Sequence, residues 1–206
     1  MSSMAEEFWR TRVEYPPVHC NSRRRYLDLG VILNHAGEVK SLLDLGCGEG
    51  QNLLMLRELT DIVYYCGFDL CENFIHGLRK RWGEHPGLIV RTLDFVDTPG
   101  FPKVDLCLCM GVLLYVFDDD ELRNMFARLK TKKLICRMPC TLTTKRLVVS
   151  EFSEEYGAVY SAVYRTVAEY ISILSESFVI KSVDRCYPDE IESRYGSKQF
   201  VFICEG

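Results

Sequence analysis

Apolar positions along the chain alternate between two periods. Over Arg23 to Ala36, Tyr26, Leu29, Ile32, Leu33 and Ala36 fall on one side of a helix, with Asn21-Ser22 as its cap and Gly37 as its stop. Ser41 to Leu45 (SLLDL) is a short apolar run and predicts a strand. A glycine-rich turn follows, then a helical pattern through Leu53, Leu54, Leu56 and Leu59. Val63 to Phe68 is β-branched and aromatic and predicts a second strand. Phe74, Ile75, Leu78 and Trp82 recur at helical spacing within Cys71 to Trp82, and His85-Pro86-Gly87 breaks that helix. Leu88 to Leu93 and Val104 to Met110 are the third and fourth strands. Asp118 with Glu121 three residues on opens a helix whose stripe is Leu122, Met125, Phe126 and Leu129. Lys133 to Met138 predicts a fifth strand stopped by Pro139. Thr141 to Tyr160 is polar and less regular. Val163, Val167, Tyr170, Ile171 and Leu174 then predict a helix. Phe178 to Val183 and Gln199 to Cys204 are the last two strands, joined by a polar loop.

Strand and helix alternate through the first 139 residues, which is the pattern of a parallel sheet covered by helices on both faces. The last two strands lack a helix between them and are expected to pair antiparallel. The expected architecture is one α/β domain over 1–206 with a seven-stranded, mostly parallel sheet. Residues 1–37 would form a helical cover and 38–139 the ligand-binding core. Residues 140–206 would supply a cover segment, a helix and the last two strands.

Composition narrows the classes. The 206 residues are 48% hydrophobic and 26% charged, which is globular and not disordered. The longest apolar runs, such as Val112 to Phe117, fall far short of the roughly 20 residues of a membrane span. The opening MSSMAEEFWR carries acids where a signal peptide has bases. The ten cysteines form no CxxC pair and sit mostly in apolar runs, so buried thiols in a reducing, cytoplasmic setting are expected, and no metal site. The net charge of −4 argues against a broad nucleic-acid face. The runs Arg23-Arg24-Arg25 and Arg79-Lys80-Arg81 lie in predicted helices and read as solvated faces. Arg165 and Glu169, four apart, read as a surface helix pair.

The candidate chemistry is at the end of the first strand, in Asp44-Leu45-Gly46-Cys47-Gly48-Glu49-Gly50-Gln51. Gly46 and Gly48 allow a sharp turn and close approach to a ligand. A phosphate loop needs a Lys followed by Ser or Thr, absent here, and the dinucleotide spacing G-x-G-x-x-G fails at Gln51. The observed G-x-G-x-G with an acid two residues before it resembles the first motif of the class I S-adenosylmethionine-dependent methyltransferases. Either a glycine turn or a strand-end acid can be a structural feature only. Four features at the ends of four successive strands are a pattern: the loop, Asp69 in Gly67-Phe68-Asp69-Leu70, Asp94-Phe95, and Met110-Gly111-Val112. The turn before the fifth strand departs from the family's Pro-Gly-Gly, and Leu114-Tyr115 stand where many members have a His.

This resemblance implies a Rossmann-like fold and S-adenosyl-L-methionine as cofactor, held by Asp44, Gly46, Gly48, Asp69, Leu70, Asp94, Phe95 and Met110. Asp69 would take the ribose hydroxyls, because a carboxylate has two acceptor oxygens. It further implies methyl transfer to an oxygen or nitrogen of a small molecule by in-line displacement. Tyr15, Tyr115 and Arg137 are candidates to line the acceptor site, and His19 and Tyr115 for proton handling or acceptor orientation. Two alternatives stand beside this reading. One is methylation of RNA or a protein; the other is a non-catalytic cofactor-binding module acting through a partner.

Overall fold

The computed structural model describes residues 2–14, 22–57, 59, 61–83, 85–154, 156–191 and 195–206. Its elements are α1 (Ser2–Arg10), α2 (Ser22–Ala36), β1 (Ser41–Leu45), α3 (Gln51–Arg57), β2 (Tyr64–Asp69), α4 (Glu72–Trp82), β3 (Leu88–Thr92) and β4 (Lys103–Met110). A 3₁₀ turn at Leu113–Tyr115 leads to α5 (Asp119–Arg128), β5 (Lys130–Thr141), β6 (Leu147–Ser153), β7 (Ala158–Tyr164), α6 (Val167–Leu174), β8 (Val179–Arg185) and β9 (Ser197–Glu205). The main sheet runs β3-β2-β1-β4-β5-β9-β8, with β9 antiparallel to both of its neighbours. The other ladders, β3-β2, β2-β1, β1-β4 and β4-β5, are parallel.

Successive side chains of a strand point to opposite faces, and the sheet is apolar on both. Leu42, Leu106, Leu108 and Ile135 face Ile32 of α2, Leu53 and Leu56 of α3 and Ile75 and Leu78 of α4. Leu43, Leu45, Cys107, Cys109, Leu134 and Cys136 face Leu122 and Phe126 of α5 and Tyr170 and Leu174 of α6. The cysteines among these are free thiols used as small apolar groups. Helix ends follow local chemistry. Asp118 accepts from the amides of Asp120 (2.7 Å) and Glu121 (3.3 Å) at the start of α5. Lys133 Nζ donates to the His35 and Ala36 carbonyls at the end of α2, where a cation is favoured.

Three differences from the sequence expectation have physical causes. First, β5 does not stop at Pro139 but continues to Thr141, pairing Pro139 with Gln199 of β9. The β4 ladder ends at Met110 opposite Arg137, so on that side no partner strand is left to need the missing proline N–H. Second, the stretch read as irregular holds a hairpin, β6-β7, in a separate two-stranded sheet, with Val163 in β7. Helix α6 begins only at Val167, because Thr166 and Glu169 form a reciprocal capping box there. The predicted cap of α2 at Asn21 lies outside the described residues.

Third, Arg165 is not a surface residue paired with Glu169. Its side chain is fully buried. Its Nε donates to Asp119 Oδ1 (2.8 Å), and its Nη2 to the carbonyls of Val116 (2.9 Å) and Phe117 (3.1 Å). Arg146 joins from the other foot of the hairpin, reaching Asp119 Oδ2 and Glu169 Oε1, each at 2.6 Å. Burial alone would raise the Asp119 carboxyl; the two guanidiniums outweigh it and hold it below its ordinary value. Both feet of the hairpin are thus clamped to the start of α5. Removing one partner strands a buried charge. Asp119→Ala is expected to cost about 3 kcal/mol in urea unfolding, and Arg146→Ala, whose group is more exposed, about 1 kcal/mol or less. Equal small losses would contradict the clamp.

Candidate functional site

A cavity of about 560 Å³ opens at the carboxyl ends of β1, β2, β3 and β4. The first strand pairs with β2 on one side and β4 on the other, so the loops leaving β1 and β4 diverge and leave a crevice. At its base the two loops touch: a Cβ on Gly46 would meet Val112 Cγ2 at 2.6 Å. Gly46, Gly48 and Gly50 have φ of 73°, 54° and 79°, left-handed values that favour glycine. The Gly46 and Cys47 amides both donate to the Phe68 carbonyl (2.8 and 3.0 Å), tying the loop to the end of β2.

Asp69 lines this crevice and organises it. Its Oδ2 accepts from the Gly48 amide (2.8 Å) and its Oδ1 from the Cys71 amide (2.9 Å). Burial raises the Asp69 carboxyl, and these two amides pull it back. Each oxygen keeps a second lone pair for a ligand hydroxyl. Asp94 accepts from the Val96 amide through Oδ1 (3.0 Å) and also lines the cavity, as do Leu70, Phe95 and Met110.

Other expected residues are placed differently. Asp44 is fully buried behind the wall and does not line the cavity. It accepts from Tyr65 Oη (3.0 Å) and from Asn52 Nδ2 (3.2 Å), and Asn52 does line it. Burial pushes the Asp44 carboxyl up to about 7, against the pull of Tyr65 and Asn52. Gly48 acts through its amide on Asp69 and is not itself in the lining. Tyr15 and His19 lie outside the described residues. Tyr115 and Arg137 line the far half of the cavity.

That far half holds side chains for which sequence reasoning assigned no role. Tyr156, Tyr160 and Tyr164 of the hairpin segment line it with Tyr187 and Tyr195. The Tyr160 and Tyr164 hydroxyls meet at 3.0 Å, and burial pushes both well above the ordinary tyrosine range. The available signal was the spacing of Tyr160 and Tyr164, an even number apart and so on one face of a strand. Arg24 and Arg25, read as a solvated face, also line the cavity, with Asp28 one helical turn on. Acids gather at the other end. Glu6, Asp94, Asp97 and Glu121 line it, and after burial their mutual repulsion holds Asp94 and Glu121 above the ordinary carboxylate range.

Helix α1 roofs the cavity with Ala5, Glu6 and Trp9. Phe8 stands edge-on to Tyr156 (5.5 Å), and Trp9 edge-on to Tyr115 (5.1 Å). Arg12 donates through both terminal nitrogens to the Tyr156 carbonyl (3.0 Å), and its own carbonyl accepts from Asn73 Nδ2 (2.6 Å). The N-terminal segment therefore bridges the hairpin and α4.

A family model described as a methyltransferase domain matches residues 42–132. A small RNA 2'-O-methyltransferase of Schizosaccharomyces pombe is 36% identical over 86 residues, covering 40% of this chain and 20% of that protein. A SAM-dependent methyltransferase from Leishmania major superposes with a TM-score of 0.77 at 15% identity, covering 99% of this chain and 82% of the other. A geranyl diphosphate C-methyltransferase from Streptomyces coelicolor A3(2), solved with S-adenosyl-L-homocysteine, gives 0.73 at 13% identity, covering 99% and 97%.

The Asp44 carboxyl supplies a pH test. Its folded value of about 7 lies above the ordinary 3.8. Its stabilising contribution is therefore complete below about pH 4 and is lost as the pH rises through about 7. Asp44→Asn should flatten the fall in unfolding free energy between these pH values by on the order of 3 kcal/mol. Urea titrations at several pH values measure this, and an unchanged slope would show that Asp44 is not buried as described.

Proposed function

We propose that this chain, which belongs to the class I S-adenosylmethionine-dependent methyltransferases, transfers a methyl group to an oxygen or nitrogen of a small acceptor held in the tyrosine-lined half of its cavity. The residues present fit the cofactor. Asp69 offers two oxygens, each with a lone pair beyond its backbone bond, for a diol. Leu70, Phe95 and Met110 supply apolar walls, and Asp94 an acceptor oxygen, for an adenine ring and its amine. When bound, S-adenosylmethionine supplies a methyl group on a positively charged sulfur, already activated for in-line displacement.

The protein's part is then alignment and exclusion of water, worth on the order of 7–11 kcal/mol in well-oriented intramolecular reactions. The roof of α1 and the clamped hairpin exclude solvent. The tyrosine hydroxyls, raised by burial, orient an acceptor as hydrogen-bond donors and do not take its proton. The observation that carries the reading is one continuous cavity with two unlike halves: strand-end carboxylates in one, tyrosines and arginines in the other. Its volume falls in the usual range for small-ligand sites.

RNA is the second reading, favoured by the match to the small RNA 2'-O-methyltransferase. The roofed cavity and the net charge of −4 weigh toward the small acceptor. A calorimetric titration with S-adenosylhomocysteine, beside NAD and ATP, should show selective micromolar binding. Asp69→Ala should weaken it by about 1.5–3 kcal/mol with the fold retained. Unchanged affinity would remove Asp69 from the cofactor site. Labelled methyl appearing in RNA, and in no fraction of a small-metabolite extract, would replace the small acceptor with RNA.

A further inference from the structure

We infer that the acceptor is an anion, a small carboxylate or phosphate with a planar body, whose charge is taken by Arg25 and Arg137 and whose body lies on the tyrosine wall. The inference rests on the methyl-transfer reading and names the acceptor class for the same site.

The arginines carry it. Arg25 and Asp28 are three residues apart on α2 and share a face, and both line the cavity. Asp28 Oδ1 lies 2.9 Å from Arg137 Nε and accepts from Tyr187 Oη at 2.8 Å. Gln199 Oε1 accepts from Arg137 Nη1 at 2.9 Å. Burial pushes the Asp28 carboxyl up, and the Arg137 guanidinium pulls it back. These contacts hold the guanidinium flat over Gly111, where a Cβ would come within 2.9 Å of Nη2. A guanidinium has five N–H donors; Gln199 takes one from Nη1, and Nε meets Asp28 as an ion pair without a hydrogen bond. The two N–H groups of Nη2 remain for a ligand in the cavity that Arg137 lines.

Arg25 has no ion-pair partner among the described residues, and its buried Nε has no hydrogen-bond partner. Among the described residues lining this half of the cavity, Asp28 is the carboxylate beside Arg25 and Arg137. A partly buried cation without a counter-charge is costly, and a bound anion removes that cost. A guanidinium also matches the two-oxygen edge of a carboxylate or phosphate.

The planar body follows from the wall. Tyr160 stacks with Tyr156 and Tyr195, Tyr115 stands edge-on to Tyr160 at 86°, and Tyr164 is tilted 56° from Tyr195, so the wall offers ring edges as well as faces. Tyr195 is the non-glycine residue with left-handed backbone among those described, at φ 62°. Its hydroxyl donates to Glu151 at 2.7 Å, holding the ring in place. Strain of order 1 kcal/mol or more is tolerated there, as at many ligand sites. A planar aromatic body packs on such a wall offset-stacked on a face or edge-on.

The test uses the full chain saturated with S-adenosylhomocysteine, titrated by calorimetry with benzoate, phenyl phosphate and uncharged benzamide. At least one anion should bind about tenfold or more tightly than benzamide, and the better of the two identifies carboxylate or phosphate. Arg25→Gln should lower that anion's affinity by about tenfold and leave the affinity for S-adenosylhomocysteine unchanged. Arg23→Gln, at the exposed neighbouring position, should change neither. Benzamide binding as tightly as the anions, no anion binding to the loaded protein, or full affinity in Arg25→Gln would each overturn the inference. Failure to bind S-adenosylhomocysteine at all would instead overturn the methyl-transfer reading on which it rests.

Discussion

The site depends on the reversal of strand order at β1. Because β2 and β4 flank β1, the chain must leave the sheet in opposite directions after β1 and after β4. A crevice at that point is a consequence of connectivity, before any side chain is chosen. The side chains then decide how near its walls come. Gly46 lets the first loop pass directly against Val112, and the Asp69 carboxylate joins the glycine loop to the start of α4 through two amides. A carboxylate that already accepts two backbone bonds is fixed in direction.

Around this crevice the chain arranges charge with a direction. Four carboxylates stand at one end, under α1 and beside α5, and three guanidiniums at the other, beneath the hairpin. The buried Asp28–Arg137 pair marks the boundary of the second half. Such a pair adds little net stability, since desolvation offsets attraction. It does fix the orientation of Arg137, which Gln199 of β9 also holds, while Tyr187 in the loop after β8 holds Asp28. Orientation of this kind is what a buried ion pair supplies where a hydrophobic pair could not.

The parallel core was legible because a strand buried on both faces is an uninterrupted apolar run, as in SLLDL and VDLCLCM. Asp69 and Asp94 were legible for the same reason, since the end of such a run locates the crevice. Asp44 was legible as an acid near the loop, but a sequence carries no sign that Asn52 and Tyr65 would enclose it. Pro139 concealed the length of β5, because whether a missing N–H matters depends on where the neighbouring strand ends. The hairpin was concealed by its mixed faces: Val148, Ser150 and Phe152 alternate with Val149 and Glu151 without a clear apolar side. The arginines of α2 were misread because charge in a helix is usually solvated, and only the fold shows that this face borders a cavity.

The Arg12–Tyr156 bond joins residues separated by 144 positions. A contact that spans so much chain closes a large loop, whose entropic cost the packing of the intervening elements has to offset. Phe8 and Trp9 need the hairpin tyrosines as their platform, and the hairpin needs its clamp to α5. Roof, hairpin and clamp thus form a series of dependent contacts running back to the sheet. The cavity has its full set of walls only when all of these contacts are made. Its roof is held by the aromatic edges, the Arg12 guanidinium and the Asn73 amide, all of them contacts to the hairpin and α4. Local unfolding confined to α1 would expose the whole binding crevice while leaving the sheet intact.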